Sequence, residues 1–446
     1  MKNFLVFFFI SSLLILNNCS FDNKSGVWKD HNRKVIQKVK KDNQLEKIFE
    51  EIDVFNEEIS NKVVVNLPQK IKNVNWLESN LNENNNVPHL SYENKKNRVL
   101  KSKKIGKSNF SVDQLESDLF ILEDNIFFSD FNGNIYCFST SLQKILWKFN
   151  FYKKKYKNIP IKTNLKIINK SLIVSDNLGY FYNIDLNNGK LKWAKNQGVP
   201  LTSEIKSSNQ KTFLLNQDNK FYIFENKNGK KILDFETFPI ILKKNIKQTL
   251  ALDSRDNLYF VTSAGQIFSL NQVNYKINWI KNIKDATTSD QFGLFYSSPM
   301  VIDDQSIYIS SAKTTMSIDI FTGKTNWKIP FGTKIKPIIS NEFIFLVSND
   351  GFLLNANLSS GKIIWSKKLF KSKNLNTKKI GDVSSLFLLA NQLFMTTKNG
   401  FFFFVNYNDG QIINYTKVAK GFFSKPSVAN NKIYIIDKNM SLMVFN

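Results

Sequence analysis

The chain has 446 residues, with 62 Lys plus Arg against 37 Asp plus Glu, so its formal charge is +25. Hydrophobics at 42% and aromatics at 14% exclude wholesale disorder, and only Arg33, Arg98 and Arg255 are Arg, which argues against guanidinium-based reading of nucleic acid. Two Cys (Cys19, Cys137) and two His (His31, His89) exclude a disulfide framework, a Cys-based metal site and, beyond residue 89, any imidazole catalyst.

The N-terminus opens with Lys2 and an apolar run over residues 4–16. That run falls short of the ~20 residues that span a bilayer and suits the core of a secretory signal. Cys19 follows, with Leu16 three residues ahead of it. This resembles a bacterial lipobox, although Asn17 and Asn18 stand where small residues are usual. The resemblance implies a signal peptide over 1–18 and lipidation of Cys19, with Ser20 favouring the outer membrane. The alternative is an ordinary cleaved signal with an incidental Cys. Export would leave Cys137, inside the apolar run 135–138, as a buried and inert thiol.

Residues 19–96 are polar and free of repeats, and read as a tether. Leu45, Ile48, Phe49, Ile52, Phe55 and Ile59 have helical spacing, as a marginal helix or as a docking helix for a partner. The Asn-rich stretch 80–86 reads as loop.

The rest of the chain repeats. Segment 179–193 has Gly first, Asp six later, Gly ten later and Trp fourteen later. The first position recurs as Gly133, Gly179, Asn219, Gly265, Lys313, Gly351, Gly400 and Met440, 38 to 49 residues apart. The sixth residue on is always short or polar, such as Asp185, Asn271 and Asp319. It reads as a turn hydrogen bonder rather than a calcium ligand. The fourteenth is Trp147, Trp193, Leu233, Trp279, Trp327, Trp365 and Asn414, five of the seven Trp in the chain. These Trp read as structural rings between repeats. Apolar runs precede each unit at 172–175, 258–262, 307–310, 343–347, 393–396 and 433–436, and Asn-Gly or Asp-Gly turns separate them.

Four short strands in about 44 residues is the period of a propeller blade. The eighth unit stops at residue 446, before its fourth strand. An unpaired edge there would be exposed, so residues 98–105 are expected to supply that strand. The predicted fold is all-β: an eight-bladed propeller over 97–446, closed by an N-terminal strand. Phe401, Phe402, Phe403 and Phe404 read as a strand covered on both faces.

The Asp-x-x-x-Gly-Lys-x-x-Trp frame resembles the PQQ-like propeller repeat, which two families use. Quinoprotein dehydrogenases bind pyrroloquinoline quinone and calcium, but carry an adjacent Cys pair and inserted loops that this chain lacks. The BamB-type lipoproteins of the outer-membrane β-barrel assembly machinery are similar along nearly the whole mature chain, including Cys19, the lead-in with Leu67, Pro68, Trp76, Pro88 and His89, and eight units. The lead-in resembles alphaproteobacterial members. Membership implies a non-enzymatic periplasmic scaffold at the outer membrane, without cofactor or metal. It implies docking to a BamA-like barrel-inserting protein and contact with unfolded outer-membrane proteins. The family's Leu-x-Leu-Arg contact loop maps to residues 240–246, so Ile241, Leu242, Lys243 and Lys244 are the expected partner-binding residues. A second, acidic loop ahead of Pro299 maps to Leu294 and Tyr296, where the charge is lost. Phe238, Phe292 and Phe295 add apolar surface to these loops. Alternatives are a quinone-dependent dehydrogenase and a generic propeller adaptor or polysaccharide-binding lipoprotein. No catalytic constellation is visible, and Asp303-Asp304 reads as a hairpin turn.

Overall fold

The computed structural model describes residues 55–60, 63–95, 97–108, 117–152, 156, 159–238, 247–284, 295–372 and 375–446. Eight four-stranded antiparallel sheets hold every described strand. Seven follow chain order: blade 1 over 120–149, blade 2 over 163–196, blade 3 over 206–235, blade 4 over 250–282, blade 5 over 301–329, blade 6 over 338–368 and blade 7 over 383–417. Blade 8 takes three strands from 427–445 and its outer strand from Arg98–Lys104. Two single-turn helices, Leu369–Ser372 and Thr377–Ile380, lie between blades 6 and 7.

Each expected apolar run lies on the second strand of a blade. These strands are buried on both faces because a neighbouring blade covers each side, as over Phe343–Val347. Phe402, Phe403 and Phe404 are buried in the same way, and Phe401 is half-buried. Phenyl rings carry the core between blades: Phe221 stacks on Phe260 at 4.8 Å, and Phe402 meets Phe445 edge-on at 5.0 Å. Outer strands are largely exposed, and Lys148, Lys192, Lys195, Lys328 and Lys417 sit there. Much of the basic excess is therefore on the rim.

The repeat frame is turn chemistry. Its first position has φ between 61° and 84° at Gly133, Gly179, Asn219, Gly265, Gly351, Gly400 and Met440, the left-handed conformation of the tight hairpin between second and third strands. Lys313 does not adopt it. That hairpin is instead held by Ser311 and Thr314, with Ser311 N donating to Thr314 O at 2.7 Å. The polar residue six positions on closes the next turn. Asp185 Oδ1 accepts from Asn187 N at 3.0 Å, and Asp319 Oδ1 from Thr322 N at 2.8 Å. Asp303 likewise caps a hairpin, accepting from Gln305 N and Ser306 N.

The five repeat tryptophans each meet a glycine of the following blade. Trp147 lies on Gly189, Trp193 on Gly229, Trp279 on Gly323, Trp327 on Gly361 and Trp365 on Gly410, where an added Cβ would stand 2.6–2.8 Å from the ring. Those glycines have φ of 69–71°, so both the space and the backbone demand Gly. Trp147, Trp279 and Trp327 also donate Nε1–H to Leu186 O, Ile320 O and Leu358 O of the next blade at 2.9–3.0 Å. Where the Trp is missing the Gly is missing too. Leu233 of blade 3 precedes Tyr275 of blade 4, and Leu100 of the closing strand precedes Gln143 of blade 1, with Tyr275 and Gln143 still at φ 61° and 51°.

Arg98–Lys104 closes the ring by antiparallel pairing, Arg98 opposite Phe445, Leu100 opposite Val444 and Lys104 opposite Ser441. The described end of the expected helix, residues 55–60, is not helical; Phe55 stacks on Phe352 at 6.0 Å and Ile59 bridges to Ser366 of blade 6. A strand edge offering partners outcompetes an isolated turn of helix. Residues 35–54 lie outside the described residues.

Two predictions test this architecture. Deleting 97–106 should lower the thermal midpoint by many degrees relative to deleting 21–51; midpoints within about 2 °C of each other would refute closure by the strand. Leu233→Trp should destabilise by roughly 1–3 kcal/mol through overpacking against Tyr275, and adding Tyr275→Gly should recover it. Strict additivity in chemical denaturation of the double mutant would refute the Trp–Gly pairing.

Candidate functional site: the axial channel and the inter-blade loop face

The innermost strand of each blade has one paired edge and one edge toward the axis, whose backbone groups need partners. Residues 66–90 supply them by running around one mouth of the channel. Trp76 and Ile121 of blade 1 exchange two backbone hydrogen bonds at 2.8 Å. Leu77 O accepts from Ile167 N of blade 2, Glu83 O from Leu252 N of blade 4, and Asn84 O from Ile302 N of blade 5. Asn80 donates to Glu204 of blade 3 at 3.0 Å, and Asn66 O accepts from Asn341 of blade 6 at 3.1 Å. Leu90 pairs with Leu388 and Ala390 of blade 7, and Asn73 O accepts from Asn430 N beside blade 8. Asn85, fully buried at φ 61°, donates Nδ2–H to Leu250 O and Met300 O at 2.8 and 2.9 Å, bridging blades 4 and 5. Composition reads this stretch as linker and loop; over 66–90 it is instead a plug that touches all eight blades.

Two ionisable residues of the plug are structural. His89 is buried; its Nδ1 faces Pro68 O at 2.9 Å and its Nε2 accepts from Asn391 N at 3.0 Å. That pattern sets the neutral tautomer with hydrogen on Nδ1, and burial lowers its pKa. The Glu78 carboxylate, 4% exposed, pairs with Lys166 at 2.7 Å and Lys206 at 3.2 Å. Burial pulls its pKa up, but Lys206 and Lys166 outweigh this and hold it below the usual carboxylate value. Sequence reasoning missed Glu78 and Asn85, because a lone acid and an Asn in a polar stretch carry no periodic signal.

The opposite side of the channel is a cup of 270 Å³. Its walls are the starts of innermost strands and two hairpin turns, with Lys334, Lys336, Lys398 and Lys425 among them, and Trp76, Ser79 and Asn80 of the plug form its floor. It therefore opens on the face that carries the inter-blade loops.

Of the residues expected to bind a partner, Tyr296 is on this face, half-buried, with the Lys334 ammonium 4.5 Å from its ring centroid. Phe295 beside it is buried against Gly265, and Phe238 is 60% exposed. Ile241, Leu242, Lys243, Lys244, Phe292, Leu294 and Cys19 lie outside the described residues. Cys137 is buried and unpaired, and burial pushes its thiol up to about 12. Among the described residues no group of three His, Cys, Asp or Glu converges on a metal position, and no helix is long and apolar enough to cross a membrane.

The profile of the outer membrane protein assembly factor BamB family matches residues 144–367. The chain belongs to the BamB family. The match runs from the outer strand of blade 1 through blade 6 and includes four of the five Trp–Gly contacts. A protein of Rickettsia prowazekii is 24% identical over 260 residues, 56% of this chain and 61% of the relative. The outer membrane protein assembly factor BamB of Salmonella typhimurium is 22% identical over 165 residues, 36% of this chain and 40% of the relative. The chain thus spans less than two thirds of these relatives' lengths. Among solved structures, BamB from Moraxella catarrhalis superposes with a TM-score of 0.63 at 16% identity, over 79% of this chain and 99% of that one. Quinohemoprotein alcohol dehydrogenase from Comamonas testosteroni gives 0.62 at 10% identity, over 83% and 80%. At such identities the two structures speak for the fold alone.

Glu78→Gln should loosen the plug, since it leaves the buried Lys206 without an ion-pair partner and Lys166 with only Glu83 at 3.8 Å, at a cost of roughly 3–5 kcal/mol at pH 7. Because the folded pKa of Glu78 is depressed, its contribution is complete above the unfolded value and lost as pH falls through the folded one. The gap between wild type and variant in urea unfolding should therefore shrink on acidification below about pH 4. A gap that stays constant from pH 7 to pH 3 would show that Glu78 is not the anchor.

Proposed function

We propose that this protein is a non-enzymatic scaffold of the outer-membrane β-barrel assembly machinery, lipid-anchored through Cys19 on the periplasmic face of the outer membrane. It docks to the periplasmic domains of a BamA-like barrel-inserting protein and assists insertion of outer-membrane proteins. The observation that carries this reading is the BamB family match from the outer strand of blade 1 through blade 6 of a closed eight-bladed ring. The docking residues are Ile241, Leu242, Lys243 and Lys244 on one inter-blade loop, with Leu294 and Tyr296 on another. The two loops follow blades 3 and 4 in the chain. Exposed outer strands carrying Ile145, Leu191, Ile277 and Ile413 offer unpaired backbone to unfolded client strands.

A quinone-dependent dehydrogenase is the competing reading. Such enzymes hold calcium with oxygen ligands, chiefly carboxylates. The axial cup is lined by four Lys and no Asp or Glu, so its residues do not fit a calcium-held quinone.

The test is affinity capture of the tagged full-length protein from native outer membranes. The barrel-inserting protein should co-purify, and Lys243→Glu with Lys244→Glu should reduce it at least tenfold without changing the melting temperature. Cys19→Ala should move the protein from the membrane to the soluble fraction. Capture without the barrel-inserting protein would overturn the scaffold reading, and saturable quinone and calcium binding with alcohol oxidation would establish the enzyme.

A further inference from the structure

We propose that the axial cup is a binding site for a small phosphate-type oxyanion, with Lys336 as its central ligand. The inference is independent of the scaffold reading. Four lysines and no carboxylate line the cup, whereas the buried ammonium groups of Lys166 and Lys206 elsewhere in the channel are matched by Glu78. Three of the four are engaged, Lys425 among them. Lys398 pairs with Asp382 at 2.9 Å, and Lys334 lies over the Tyr296 ring.

Lys336 is different. It is only partly exposed, and its ammonium has no hydrogen-bond or ion-pair partner among the described residues. Glu204 and Glu78 attract it from beyond contact distance; Glu204 accepts from Asn80 through Oε1, and Glu78 is paired with Lys166 and Lys206. Burial brings the Lys336 pKa to about 7, and the nearby Lys425 and Lys206 push it the same way. A desolvated cation with no counter-ion in contact, in a cavity with room to spare, can take an anion.

The cavity fixes the kind of anion. Its floor is sealed by Trp76, so the ligand enters from the inter-blade face and is small. At 270 Å³ the cup holds a phosphate, a pyrophosphate or a phosphorylated headgroup, and not a folded segment. Several ammonium groups around one cavity favour a multivalent anion over a single carboxylate. Asn349 and Ser384 add neutral polar groups to the wall.

The experiment is calorimetric titration of the purified protein with inorganic phosphate and with pyrophosphate, in parallel with sedimentation on phosphatidylglycerol and phosphatidylcholine vesicles. Saturable binding of a soluble probe is expected, weakened at least about tenfold by Lys336→Gln and retained by Lys336→Arg. Lys362→Gln, on an exposed turn of blade 6, should leave it unchanged. If Lys336→Gln lowers the melting temperature, Lys425→Gln serves in its place. Loss of phosphatidylglycerol sedimentation in Lys336→Gln identifies a lipid headgroup as the source of the phosphate; loss of soluble binding alone identifies a free phosphate. No saturable binding of any phosphate probe, or equal binding by wild type and Lys336→Gln, overturns the site.

Discussion

The contact between a tryptophan of one blade and a glycine of the next sets the geometry of the ring. A flat indole can approach backbone closely only where there is no Cβ, and five such contacts space the blades from 1–2 to 6–7. Spacing determines how many blades close the circle, and the circle determines the width of the channel. At the joint from blade 3 to blade 4, Leu233 and Tyr275 take the Trp and Gly positions and pack on the same core cluster, while the turn keeps its left-handed backbone. This compensation explains why one repeat can lose its Trp without opening the ring.

The channel that results is too wide for innermost strands to satisfy one another. Residues 66–90 answer that demand by bonding to every blade in turn, largely through their own carbonyls. An internal segment can do this at each blade because propeller symmetry repeats the same orphan N–H around the axis. The ion pairs of Glu78 and the amide of Asn85 then lock the segment at blades 2 to 5. The plug divides the axis into a sealed end and a basic cup. That division leaves the basic cup open on the face where the innermost strands begin.

The charge of +25 acquires a location from this arrangement. Rim lysines on outer strands are solvated and cost little, and they give the particle a long-range attraction to anionic membranes or acidic domains. Lys166 and Lys206 inside the channel are desolvated and need a counter-charge, which Glu78 supplies.

The blade count, the four-strand period, the closing strand and the turn residues were legible in the sequence, because each depends on neighbours in the chain: alternation, Gly-rich turns and a fixed repeat. The five tryptophans were legible as a register, but their glycine partners were not, since each lies in the following unit. The plug was not legible at all. Its contacts run from Asn73, Glu78, Asn85 and Leu90 to residues one to several hundred positions away, and a polar segment that satisfies buried backbone looks, residue by residue, like one that faces water. Local pattern records how a strand or turn forms; which orphan donors a distant carbonyl will meet is decided only when the ring has closed.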